Sequence, residues 1–261
     1  MVKLVDTQVL GTCAFTGMWV RVPLSAHLKN KIIYMHILII PDGNRRWAKK
    51  KGLNPSLGHK EGKNIVNKLA ESVVENKIDY LTFWVLSKDN FVKRSKGEIS
   101  FLFKLIESAV KELNSNEFVV KNDIKVRFVG DWENIVDLKL KKSLLKINKD
   151  SEDRKGACIT FLFCYNGDEE TVSAVQDMVK NNLKISKENI LKNLWTSFLP
   201  EVDILIRTGC ENDPHLSGNI LMWQTGYSQL VFSEKMFPDF SVIDLQKSIK
   251  EVECREKRKG S

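Results

Sequence analysis

No stretch of this 261-residue chain reaches the roughly 18 consecutive apolar residues that a membrane-crossing helix needs. Its five cysteines (Cys13, Cys158, Cys164, Cys210, Cys254) include no CxxC pair. That argues against a zinc site or a disulfide framework and for reduced thiols in the cytoplasm. The four histidines are scattered, with no metal-binding spacing. There is no internal repeat and no low-complexity linker, so the chain reads as one large domain rather than an array. What it does have is 43% hydrophobic residues, enough for a substantial core, and a net charge of +8. The charge calls for an anionic partner and leaves nucleic acid, an anionic membrane and phosphorylated metabolites all open.

The most informative stretch is His36 to Gly62, HILIIPDGNRRWAKKKGLNPSLGHKEG. Ile37 to Ile40 form a short β-branched run stopped by Pro41, which reads as a buried strand. Asp42-Gly43-Asn44 is turn chemistry, and Arg45 to Lys50 looks like a first helical turn. A strand that breaks at glycine and feeds a helix offers free N–H groups and a positive dipole end, which suit a phosphate. The arginines add charge-assisted donors. Asp42 fits such a site only if a divalent cation lies between it and the phosphate. Taken alone, the same residues also read as a surface turn with solvated charges.

Beyond Gly62 helices and strands alternate. Ile65, Leu69 and Val73 mark a helix over about 61–76, and Tyr80 to Leu86 is strand-like. A broad apolar stripe (Ile99, Leu102, Phe103, Ile106, Ala109, Val110, Leu113) predicts a helix over 98–114. Val126 to Val129 is a third strand, followed by a lysine-rich helix over about 134–148. Ala157 to Cys164 is a fourth strand, and a helix opens at Asp168. A short helix over 186–198, a strand over 202–206, a sixth strand over 230–232 and a helix capped by Ser241 complete the chain. The alternation predicts an α/β fold, one domain with a mostly parallel six-stranded sheet surrounded by helices. Ligands of such sheets bind beyond the carboxyl ends of the strands. The polar segments Asp42–Asn44, Ser87–Arg94 and Arg207–Gly209 all follow strands.

Residues 1–34 lack helical or strand periodicity and make a poor signal peptide, with Asp6 and Arg21 interrupting the apolar stretches. They resemble the in-frame translation of a transfer-RNA gene. The expectation is that translation begins at Met35, so that 1–34 is an extension and 35–261 the catalytic domain.

The blocks DGNRRWA, GHKEG, SKDNFVKRSKGE, RTG, HLSGN, MWQTGYSQLVF, FPDF and REKRKG, in this order and spacing, resemble those of the cis-prenyltransferase family, over nearly all of His36 to Gly260. The resemblance implies a central parallel sheet beside an apolar tunnel lined by the 98–114 stripe, usually in a homodimer. It implies a transferase that condenses isopentenyl diphosphate with an allylic prenyl diphosphate to give a cis-polyprenyl diphosphate. Asp42 would hold Mg²⁺ on a diphosphate. Gly43, Asn44, Arg45, Arg46 and His59 would grip the allylic diphosphate. Asn90, with Ser87 nearby, would assist departure of that group or the later loss of a proton. Arg207 and Ser217 would hold the isopentenyl diphosphate. Trp47, Phe91, Arg94 and Glu98 carry over as further substrate-side residues, and Arg258 and Gly260 as a tail reaching the partner subunit. Product delivery would need contact with the inner membrane face, through the basic surface.

The chain also departs from the family pattern. His215 stands where a second arginine is usual, after an apparent insertion at Asp213-Pro214. A histidine titrates near neutrality, so its grip on the second diphosphate would weaken as pH rises. Pro55 replaces an arginine near the allylic site, and Gln229 an acidic residue near the metal. An inserted residue leaves Lys93 and Arg94 competing for one slot, with Arg94 preferred because Glu98 then keeps its spacing. Two rivals stand beside the enzyme. One is a relative of the same fold that the departures have shifted to a non-elongating condensation or made catalytically silent; a silent subunit would be expected to have lost Asp42 and the loop arginine, which are present. A basic nucleic-acid-binding protein would show lysines in a patch interleaved with aromatics, whereas here they are spread along amphipathic helices, so no specific nucleic acid is expected.

Overall fold

The computed structural model describes residues 35–255. The expected extension over 1–34, and Arg258 and Gly260, lie outside the described residues. Six strands, β1 His36–Ile40, β2 Tyr80–Leu86, β3 Lys125–Val129, β4 Cys158–Phe163, β5 Ile204–Arg207 and β6 Gln229–Phe232, form one sheet in the order β3-β4-β2-β1-β5-β6. Every pairing is parallel. The helices are α1 Asn44–Lys50, α2 Pro55–Glu71, α3 Lys88–Lys93, α4 Lys96–Ser115, α5 Glu117–Lys121, α6 Leu138–Asp150, α7 Gly167–Lys180, α8 Lys187–Asn193 and α9 Val242–Glu253.

Strand β1 is buried at every position, because a parallel sheet with helices on both faces has no wet side. Successive side chains point to opposite faces. Ile37 and Ile39 join the larger core with Phe83, Phe161, Ile65 of α2 and Ile106 of α4. Leu38 and Ile40 join a smaller core with Leu205, Leu162, Tyr165 and Leu221.

The strands fall where the β-branched runs predict them, while several helix boundaries move. Helix α2 starts at Pro55, where Asn54 Oδ1 accepts the Ser56 N–H at 3.0 Å and proline occupies the first helical position, a favoured opening. It ends at Glu71, and Val73 packs from the turn beyond. Part of the Ser87–Arg94 segment is helical: Ser87 Oγ accepts the Asn90 N–H at 3.0 Å and caps α3. Asp137 caps α6 through the Leu140 N–H at 2.8 Å, so that helix begins four residues later than predicted. The helix expected over 186–198 spans Lys187–Asn193.

The strand order reverses beside β1: the chain passes from β1 to β2 on one side and reaches β5 on the other. A crevice opens at such a switch point, at the carboxyl ends of the strands. Asp42 follows β1 and Arg207 ends β5, so the two meet there.

Candidate active site

Arg207 Nη2 lies 3.0 Å from Asp42 Oδ2 across the switch point. Its Nη1 donates to the His215 carbonyl at 2.9 Å and to Ser217 Oγ at 3.3 Å. Arg46 donates to the Gly209 carbonyl at 2.6 Å, with Nη2 3.6 Å from Asp42 Oδ1. One carboxylate is thus flanked by two guanidinium groups whose residues line one cleft. The Asp42 carbonyl accepts from Thr208 Oγ1 at 2.9 Å and from the Phe237 N–H at 3.0 Å, which pins the loop to β5 and to a 3-10 turn at Phe237–Asp239. Gly43 has φ 99°, left-handed backbone suited to glycine, and a Cβ there would fall 2.9 Å from Met236 Cβ.

These residues line a polar cleft of about 490 Å³. Asp42, Gly43, Asn44, Arg45 and Arg46 form one wall; His59, Ser87, Asn90 and Arg94 form another; Arg207 and Ser217 close the third. An apolar cavity of about 140 Å³ adjoins the cleft, and Pro41, Asn44, His59, Val85 and Arg94 line both. Leu102, Leu105, Ile106, Ala109 and Leu113 of α4 face this cavity. Phe103 of the predicted stripe points elsewhere, stacking on Phe91 with centroids 6.3 Å apart.

At the boundary Asn44 donates Nδ2 to the Pro41 carbonyl at 2.8 Å, while its buried Oδ1 has no hydrogen-bond partner. The His59 ring, mostly buried, approaches Glu98 at 3.6 Å without a hydrogen bond from Nε2. Burial, helped by the Arg94 charge, pushes the His59 pKa down to about 4. Near neutral pH His59 therefore brings a neutral imidazole to the cleft. Glu98 stands behind the lining, 3.4 Å from Arg94 and 3.9 Å from Arg45. Of the two competing cations, Arg94 reaches both cleft and cavity and Lys93 lines the cleft alone.

Four residues singled out from the sequence stand away from the cleft in this chain. The Trp47 indole donates to Asp239 at 2.7 Å in a separate surface pocket, because consecutive helical residues point about 100° apart and Arg46 takes the cleft side. Phe91 packs against Phe103 outside the cleft. The His215 imidazole turns to Asp213, with Nδ1 3.1 Å from Oδ2, so this residue meets the site through its carbonyl to Arg207. Gln229 opens β6 at the amino end of the sheet, opposite the cleft. Trp84, Asp89 and Gly218, which no sequence signal singled out, also line the cleft. The β2–β4 register slips between Trp84 and Leu86, a bulge-like device that re-aims side chains. Trp84 also donates to the Tyr165 carbonyl at 3.0 Å, and its ring lies beneath Gly218.

The implied Mg²⁺ can be tested against these donors. Among the described residues no three histidine, cysteine or acidic side chains are grouped so as to hold a metal ion by themselves. Asp42 stands between Arg46 and Arg207, with its side chain 40% exposed. Mg²⁺ commonly takes one or two carboxylates and completes its shell with phosphate oxygens and water. The donors fit an ion brought in with a diphosphate.

A parallel α/β sheet whose switch point carries paired arginines and a carboxylate, with an apolar cavity opening beside them, defines a protein built to hold anionic head groups on apolar tails. The family model described as "Putative undecaprenyl diphosphate synthase" matches residues 40–260. An isoprenyl transferase of Fusobacterium nucleatum is 36% identical over 88% of this chain and 97% of its own. A farnesyl-diphosphate-specific ditrans,polycis-undecaprenyl-diphosphate synthase of Buchnera aphidicola is 35% identical over 86% of this chain and 90% of its own. The crystal structure of lavandulyl diphosphate synthase from Lavandula x intermedia, in complex with dimethylallyl diphosphate, superposes with a TM-score of 0.77 at 29% identity, covering 85% of this chain and 96% of that one. The chain belongs to the undecaprenyl diphosphate synthase family of cis-prenyltransferases, and it is a prenyl-transferring enzyme.

Proposed function

We propose that the enzyme condenses isopentenyl diphosphate with an allylic prenyl diphosphate to give a cis-polyprenyl diphosphate, with Mg²⁺ held by Asp42. The observation that carries this reading is the Arg46–Asp42–Arg207 cluster beside the mouth of an apolar cavity. Arg46, the Gly43–Asn44 backbone and neutral His59 hold the allylic diphosphate, with its tail entering the cavity past Asn44 and Arg94. Arg207 and Ser217 hold the isopentenyl diphosphate. A bond forms between the isopentenyl double bond and the allylic carbon as the carbon–oxygen bond to diphosphate breaks. The diphosphate leaves with the electron pair, and the proton lost from the new unit beside Asn90 passes to that released diphosphate. Preorganised cationic donors aimed at the departing charge supply most of the acceleration. Bound at Asp42, Mg²⁺ would neutralise further charge on the diphosphate.

A homodimer is part of the proposal. Val172 and Val179, seven residues apart on α7, and Met222, whose sulfur meets Thr171 Oγ1 at 3.7 Å, are about half exposed or more, apolar surface that a second copy would cover. No helix among the described residues is long and apolar enough to cross a membrane, so delivery of a long product is proposed to occur by peripheral contact with the membrane face.

The test is incubation with Mg²⁺, labelled isopentenyl diphosphate and a panel of allylic diphosphates, with products resolved by length. Asp42→Ala should abolish turnover, well beyond the roughly 100- to 1000-fold loss of one charge-stabilising donor, while the fold survives. Turnover by that variant, or none by the parent, would refute the assignment.

A further inference from the structure

The apolar cavity, at about 140 Å³, matches a void that accepts one benzene-sized guest, about 150 Å³. A product several prenyl units long cannot fit unless a wall parts. The walls are unequal. Phe83, Phe128 and Phe161 close the sheet side, stacked at 5.8 and 4.8 Å over hydrogen-bonded strands. The opposite wall is the seam between α2 and α4, where only side chains meet. There the lining residues Lys63, Val66, Asn67, Leu105 and Ala109 are all partly exposed.

One acidic side chain bridges that seam beside the cavity lining, while at its far end Glu71 of α2 accepts from Asn116 Nδ2, just past α4, at 3.3 Å. Glu112 of α4 meets Lys63 Nζ of α2 at 2.5 Å and Asn67 Nδ2 at 3.5 Å, and Ser108 Oγ steadies it at 2.9 Å. Glu112 faces solvent, with its side chain 48% exposed, whereas Lys63 is nearly covered and borders the cavity. With its carboxylate half open to water, the pair is partly screened and contributes modestly to global stability, so it can hold a seam shut and still give way.

We propose that the Lys63–Glu112 pair is a latch on the α2–α4 seam, through which a product that outgrows the cavity emerges, and that the latch limits chain length. With the latch open, the aliphatic stem of Lys63 would lie along the emerging tail with its ammonium in water. This inference rests on the prenyl-transfer reading, and its test separates the two.

The full-length protein is assayed with labelled isopentenyl diphosphate and farnesyl diphosphate in Mg²⁺, scoring the rate of the first condensation and the product distribution separately. Glu112→Ala should move the distribution toward longer products by at least one prenyl unit while the first condensation keeps the parent's rate. Glu112→Gln, which keeps a hydrogen bond but loses the charge, should fall between. Raising salt from about 0.1 M to about 1 M shortens the Debye length from about 10 Å to about 3 Å; this should lengthen the parent's products and leave those of Glu112→Ala unmoved. Glu188→Ala, which removes a comparable pair with Lys192 on α8, should change nothing. An unchanged or shortened distribution in Glu112→Ala, with first condensation intact, would overturn the latch. Absence of any condensation by the parent would overturn the prenyl-transfer reading instead.

Discussion

Gly58→Ala offers a sharp test of how the diphosphate-facing wall is held. Gly58 lies in α2 against α1, where a Cβ would fall 2.0 Å from the Asn44 carbonyl oxygen and 3.3 Å from Ala48 Cβ. Real Cβ atoms essentially never come within 3.0 Å of such a neighbour, and the obstacle is backbone, so α1 must recede by about 1 Å. Replacing an interior helical glycine contributes about 1 kcal/mol of helix propensity, while forced overpacking costs roughly 1–3 kcal/mol. The net loss, roughly 0–2 kcal/mol, is small against a typical stability of about 5–15 kcal/mol, so the variant should fold. Activity should respond far more strongly, because α1 carries Asn44, Arg45 and Arg46 into the cleft. A displacement of about 1 Å can cost about 100-fold in rate, equivalent to roughly 2.7 kcal/mol of barrier. Initial rates of isopentenyl incorporation, paired with urea unfolding, would measure both quantities. Gly97→Ala is the control: nothing lies within 4 Å of its Cβ, so α4 should gain up to about 1 kcal/mol with no loss of rate. A folded Gly58→Ala enzyme with a kcat/KM within about threefold of the parent, far short of the factor expected for a 1 Å shift, would refute the reasoning.

Two pH responses follow from the histidines. His36 is fully buried, with Nε2 2.9 Å from Thr82 Oγ1 and Nδ1 3.0 Å from the Pro200 carbonyl, and burial lowers its pKa to about 4. The unfolded chain therefore binds the proton first, so the contribution is present above about pH 6.5 and is lost as pH falls toward 4, on the order of 3 kcal/mol in all. Urea unfolding across that window should show a flatter slope for His36→Gln than for the parent; equal slopes would refute it. His215 turns its ring to Asp213, so KM for isopentenyl diphosphate should stay flat between about pH 6 and 8.5, a range bracketing the free histidine pKa. A rise with pH that His215→Ala abolishes would restore a direct role for the imidazole.

Local patterns carried much of the fold. The β-branched runs located the strands, and the apolar stripe located α4 because a period near 3.6 over twenty residues has few competitors. Helix α3 escaped because KDNFVK is six residues long and buries none of them, so its one signal was a serine that equally suits a turn. The site was legible as three loops at strand ends, while its geometry was not. Asp42 and Arg207 meet because β5 pairs with β1, and strand order in a parallel sheet is not written in any local stretch. Trp47 and Gln229 show the converse hazard. Each sits in a family-like block, yet helical rotation turns one away from the cleft and strand direction carries the other to the far end of the sheet.

The adjacency of β1 and β5 also has a consequence during synthesis. Asp42 emerges from the ribosome early, and the arginine that answers it comes 165 residues later. Until that late segment has docked beside the first strand, the nascent chain holds half of a charged cradle and no partner for it. Substrates present in the surrounding fluid should therefore be ignored by every partial chain and recognised all at once, when the sheet acquires its last strands.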